Sequence, residues 1–164
     1  MAVEPEIRDR VAALLGRQPR GLEEVAVWSE AGNPSVIRVA SLVDDKPFPT
    51  LYWLIDADLC YAIDQVEAGG LILQLQQTVD DTPSLRQSMR QDHEAHIRRR
   101  AGYMSTATAA QIDRLGYSEV FQTKGIGGIG DFTRIRCLHT WYAAHLVEPN
   151  TIGRLLEAHW AGAA

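Results

Sequence analysis

The sequence predicts an α+β fold, a small antiparallel sheet of about three strands covered by five to six helices. Three observations predict it. The first third carries short runs rich in β-branched and aromatic residues, separated by Gly32-Asn33-Pro34 and by Asp44–Pro49. Both connections are too short for a crossover, so the strands form a meander. From Ala57 onward the apolar spacing changes to the helical period. Three strands are not stable alone, so helices must cover at least one face.

The elements follow in order within a single predicted domain, 1–164: an N-terminal helix within 1–20, a β-meander over 24–56 and a mostly helical remainder over 57–164. Pro5 suits a first helical turn; Ile7, Val11, Leu14 and Leu15 follow at helical spacing, and Gly16 closes the helix. The strands are Val25–Trp28, Ser35–Leu42 and Thr50–Ile55. Leu59, Ile63 and Val66 form one helical stripe, Gly69-Gly70 interrupts it, and Leu71, Leu75 and Val79 resume it. Thr82-Pro83 reads as an N-cap and first helical residue, opening a helix to about Ala101. Its stripe of Leu85, Met89, His93 and Ile97 is thin, which predicts an outer helix touching the body along one seam. Thr106–Leu115 is a further short helix. A glycine loop comes next, then a helix from about Asp131 to Val147 and a last one over Asn150–Trp160.

Composition bounds function. A charged share of 23% and a hydrophobic share of 46% are ordinary globular values. No apolar run is long enough to span a bilayer, and MAVEPEIRDR lacks the basic-then-apolar order of a secretory signal; the expectation is a cytoplasmic protein with no membrane role. Cys60 and Cys137 are too few for a disulfide framework. A net charge of −5 argues against general nucleic-acid binding, although local cation clusters leave room for an anion site.

PFPTLYWL (Pro47–Leu54), GIGGI (Gly125–Ile129), RCLH (Arg136–His139) and the N-x-x-G of Asn150–Gly153 resemble a bacterial family, domain-of-unknown-function family 501, over roughly Val25 to Gly153. The resemblance brings no activity with it. It implies cysteines in an R-C-x-x-G-x-P-x-V-I motif and in a T-C-P motif after PFPTLYWL. Here Ser29 and Asp56 stand at those positions, and only Cys137 and His139 match. If relatives hold a metal through three thiolates and a histidine, two ligands are lost in this chain. The resemblance also implies that Ser29, Asp56, Cys137 and His139 lie near one another. It favours His93 over His96 through the spacing to Arg98.

The glycine loop is the leading candidate site. Gly125, Gly127, Gly128 and Gly130 free the backbone to turn several N–H groups into one hollow, and a following helix would add partial positive charge. Lys124, Arg134 and Arg136 flank it, with Arg98 across the gap, so the expected ligand is a small phosphate- or carboxylate-bearing molecule. Against this, GIGGIG fits neither the phosphate-loop nor the dinucleotide fingerprint, and a tight turn packing Ile126 and Ile129 into the core explains it as well.

Cys137 and His139 start a nucleophile–base couple or a metal site, with His93 as a further catalytic candidate and Asp56 as a weak metal ligand. On a helix, residues two apart face nearly opposite ways, so Cys137 and His139 meet only if their segment is extended. A helical reading of Phe132–Val147 instead buries Cys137 as a small apolar residue. His93 and His96 share a helix face, one residue short of the H-E-x-x-H signature; a satisfied histidine at the seam is the plainer reading. Arg98–Arg100 reads as a solvated face. Tyr52 alternates with core positions and is a candidate pocket wall. The functional expectations are therefore three: an anion-binding domain, a metal- or thiol-dependent enzyme, or an interaction module presenting the arginine-rich helix to an acidic partner. No cofactor is assigned.

Overall fold

The computed structural model describes residues 2–162. It holds α1 (Pro5–Leu15), β1 (Leu22–Trp28), β2 (Pro34–Val39), β3 (Leu42–Val43), β4 (Lys46–Pro47), β5 (Tyr52–Leu54), α2 (Ala57–Ala68), α3 (Leu71–Asp80), α4 (Pro83–Tyr103), α5 (Thr106–Leu115), α6 (Ser118–Thr123), α7 (Leu138–Val147) and α8 (Thr151–Trp160). The α+β class holds, with a three-stranded antiparallel sheet in the order β1-β2-β5. The eight described helices exceed the expected five to six; α6, six residues long, is the one to which no expected helical segment corresponds.

Alternation sets the sheet's two faces. Ile37 and Val39, with Leu22 and Ile55, pack beneath α1 through Val11, while Val36, Leu51 and Tyr52 join the main core under the other helices. The expected second strand is shorter than Ser35–Leu42. β2 ends at Val39, and β3 and β4 form a separate hairpin whose Asp44 and Asp45 both adopt positive φ (51° and 59°), the backbone a two-residue hairpin turn requires.

α7 is buried nearly all round through Leu138, Trp141, Tyr142, Ala143 and Ala144. α4 is the opposite case, a polar helix meeting the body along Met89, His93, His96 and Arg100. That seam is more polar than expected, and Arg100 lies fully inside it rather than on a solvated face. Its guanidinium donates to the carbonyls of Pro49 (2.8 Å), Phe121 (2.6 Å) and Lys124 (2.7 Å). Arg98 remains exposed.

The two seam histidines make stability pH-dependent. Burial holds His93 down at about 4, and burial followed by the Arg100 charge holds His96 at about 3. Both sit below the unfolded value of about 6.5, so the unfolded chain binds more protons as pH falls. Stability is present above pH ~6.5 and is lost as pH drops towards 4 and then 3; for each histidine, every tenfold difference in proton affinity between the two states is worth about 1.4 kcal/mol. Urea melts from pH 7 to 4 should show this slope, and it should be shallower in His96→Gln. An identical slope in that variant would contradict the assignment.

Candidate functional site

The segment ahead of α7 is extended, not helical. The buried Gln76 amide fixes it, donating to the Thr133 carbonyl (2.8 Å) and accepting the Ile135 N–H (3.0 Å). Cys137 N–H then bonds back to the Ile135 carbonyl (2.7 Å), a three-residue turn with Arg136 at φ 64°. A non-glycine residue in this region is strained, and such strain clusters at working sites. The expected helix from Asp131 is therefore corrected to one that starts at Leu138. Asp131 instead closes a local turn with Thr133 (3.1 and 2.9 Å).

Extension brings Cys137 and His139 together. Cys137 takes extended dihedrals (φ −147°, ψ 124°), and its Sγ lies 3.7 Å from His139 Nδ1. Two carboxylates from α2 join them. Glu67 Oε1 lies 3.4 Å from the same Nδ1, while its Oε2 accepts the Leu138 N–H (2.9 Å) at the start of α7. Asp64 Oδ1 lies 2.8 Å from His139 Nε2. A carboxylate can only accept, so His139 donates Nε2–H to Asp64 while Nδ1 faces Cys137 and Glu67. One donor atom from each of Glu67, Cys137 and His139 falls within 4.8 Å of the others. His139 also borders a cleft of about 250 Å³ lined by Thr50, Tyr52, Trp53, Leu54 and Thr140.

Other candidates stay apart. His93 is fully buried, accepts the Ile126 N–H at Nδ1 (3.0 Å) and stacks on Phe132 at 4.5 Å. Its Nδ1 is satisfied at the seam while its Nε2 is buried without a partner, and it is not a member of the group formed by Glu67, Cys137 and His139. Asp56 caps α2 through Leu59 N–H (3.0 Å) and accepts from Ser35 Oγ (3.0 Å). It is not a member of the donor cluster. Ser29 Oγ accepts the Asn33 N–H in the β1–β2 turn (3.1 Å). Cys60 bonds the Leu54 carbonyl, and burial, then Asp64 and Asp56, raise its pKa, keeping it a thiol.

The glycine loop is packed rather than open. Gly125 N–H donates to the Ile129 carbonyl, Gly128 to Gly125 and Ile129 to Ile126, while Ile126 N–H is taken by His93. Ile126 and Ile129 are buried. A Cβ on Gly127 would lie 2.6 Å from Thr140 Oγ1, so the loop is pressed on the first turn of α7. Arg134 and Arg136 are exposed, Arg134 with Asp131 at 4.0 Å; Lys124 lies against Gly130.

Glu67 and Asp64 escape a reading of the sequence. Three apart on α2, they share a face, and that is a visible signal, but nothing local shows that this face meets the start of α7.

No helix among the described residues is long and apolar enough to cross a membrane. No curated protein and no solved structure matches the chain. A family match does exist: the family described as "Protein of unknown function (DUF501)" covers residues 25–158, which takes in Glu67, Cys137, His139 and every strand but the start of β1, and the chain belongs to that family.

Proposed function

We propose that this protein is a metal-dependent enzyme whose ion is held by Glu67, Cys137 and His139. One observation carries the reading. A tetrahedral zinc ion with ordinary bond lengths places its sulfur and nitrogen ligands about 3.6 Å apart and its nitrogen and oxygen ligands about 3.3 Å apart. The corresponding separations here are 3.7 Å and 3.4 Å. Soft sulfur with imidazole and carboxylate suits zinc or iron better than magnesium or calcium. Asp64 supplies the outer carboxylate that metal-bound histidines commonly use. Three protein ligands leave a fourth position for water or substrate, the pattern of catalytic rather than structural sites; such an ion supplies Lewis-acid chemistry or an activated water. The neighbouring cleft gives a small substrate room beside His139.

The test is cobalt titration of protein stripped by chelator. One equivalent should bind with a sulfur-to-metal absorption band. Cys137→Ser should remove the band and weaken binding beyond the 10–100-fold typical of outer-shell changes, the loss expected for Asp64→Asn. Absence of saturable one-to-one binding would reject the reading.

A second reading uses the same atoms without a metal. Sγ, Nδ1, Nε2 and Asp64 Oδ1 form a thiol–imidazole–carboxylate chain, the order of a nucleophile, its base and the group that orients the base. Rapid alkylation of Cys137 in metal-free protein, slowed by His139→Ala, would favour it. An anion site at the glycine loop has less support, because four of its amides already donate within the protein.

A further inference from the structure

A second cavity, of about 120 Å³, lies on the other face of the sheet, between the end of α1 and β2. Its walls are apolar where they meet the body, through Leu15, Ile37, Val39 and Trp53, and Phe48 is exposed beside them. Arg17 and Arg20, both exposed, complete the lining. Arg20 is paired with Asp44. Arg17 has no carboxylate partner among the described residues; its guanidinium lies over the Trp53 ring, 5.6 Å from the centroid. The Trp53 indole N–H is buried without a hydrogen-bond partner.

From this arrangement we propose that the cavity is a binding site for a small carboxylic acid with an apolar body. The apolar walls take the hydrocarbon part, as in ordinary small-molecule pockets with few polar groups. Arg17 offers a planar fork that matches a carboxylate with two parallel hydrogen bonds. A phosphate ester with a large polar body fits less well, because only the arginine side of the cavity is polar. The cavity shares Trp53 with the cleft beside His139, but none of its lining residues belongs to the Glu67–Cys137–His139 cluster, and half of them, Leu15, Arg17, Pro19 and Arg20, precede the family match.

The experiment compares 3-phenylpropionate with its neutral amide, 3-phenylpropanamide, in thermal melts of the full chain. At about 100 times Kd the acid should raise Tm by about 5 °C or more, and the amide should raise it far less. The double variant Arg17→Gln/Arg20→Gln, in two exposed residues, should melt near wild type without ligand and lose the acid's advantage. Cys137→Ser should keep the full response, which separates this site from binding at a metal. Equal responses to acid and amide, no response to either, or an undiminished acid response in the double variant would each overturn the proposal. So would loss of the response in Cys137→Ser.

Discussion

Gly125→Ala should lower the melting temperature by about 4 °C at the least and by up to about 20 °C. A Cβ at residue 125 would lie 2.1 Å from His93 Nδ1, 2.7 Å from its Cγ and 2.9 Å from its Cβ. The ring has nowhere to go, because Phe132 stacks on it at 4.5 Å and Trp141 meets it edge-on at 4.8 Å. Overpacking a tight core costs about 1–3 kcal/mol or more, and losing the bond to the Ile126 N–H leaves a buried donor worth about 1–3 kcal/mol. The sum, about 2–6 kcal/mol, is a large share of a stability of ordinary size, and each kcal/mol moves Tm by about 2–4 °C at this length. Gly153→Ala should behave alike, since its Cβ would meet His145 Cγ at 2.1 Å. Gly102→Ala is the control: nothing lies within 4 Å of its Cβ, and in a helix it should stabilise slightly. His93→Ala added to Gly125→Ala should recover part of the loss if contact is the cause. A change of only a degree or two in Gly125→Ala would show that the loop yields and that its packing is not close.

The same contact explains why the glycine loop looks like a ligand site in the sequence. Clustered glycines signal that something approaches the backbone closely, and a ligand and a side chain leave the same mark. Here the approaching groups are His93 at Gly125 and Thr140 at Gly127, both distant in sequence. The alternative already visible in the residues, Ile126 and Ile129 packing into the core, is the one the structure bears out. Local signals do better elsewhere. Gly16 ends α1 at φ 79°, the Thr82-Pro83 start of α4 falls where the residues put it, and the last helix ends at Trp160 as expected, with Asn150 as its cap rather than its first residue.

The donor cluster is legible only in half. Cys137 and His139 are close in the chain, and the condition for their meeting, an extended backbone, can be stated from sequence but not decided there. Ile135, Leu138, Tyr142 and Leu146 keep helical spacing through a segment that is not helical at its start. What overrides the pattern is tertiary: the Gln76 amide from α3 holds the Thr133–Ile135 backbone, and Trp141 Nε1 donates to the Ile135 carbonyl at 2.9 Å. The first is not apparent without knowing that α3 runs beside that segment. The partners from α2 have the same standing, a pair of carboxylates whose meaning depends on what α2 faces.

Arg100→Met should cost about 3–5 kcal/mol although it replaces a charge by an apolar side chain of similar length. Swapping a buried ion pair for apolar residues is often harmless, because both charges leave together. Arg100 has no carboxylate partner in its contacts; it serves three main-chain carbonyls, which stay behind when it goes. Each abandoned buried acceptor costs about 1–3 kcal/mol, partly offset by relief of the guanidinium's own desolvation, which pulls its pKa down to about 10. Arg100→Lys should fail nearly as badly, since a single ammonium cannot span acceptors on the lead-in to β5, on α6 and at the head of the glycine loop. The damage should also be directional. Amide exchange should quicken first between Gly125 and Ile129, the stretch that Arg100 anchors through Lys124 and that Gly127 presses onto α7. Because α7 carries His139 in its first turn, cobalt affinity in Arg100→Lys should fall along with stability. Unchanged exchange in the loop together with a wild-type melting point would mean that the three carbonyls find other donors and that the guanidinium merely fills space.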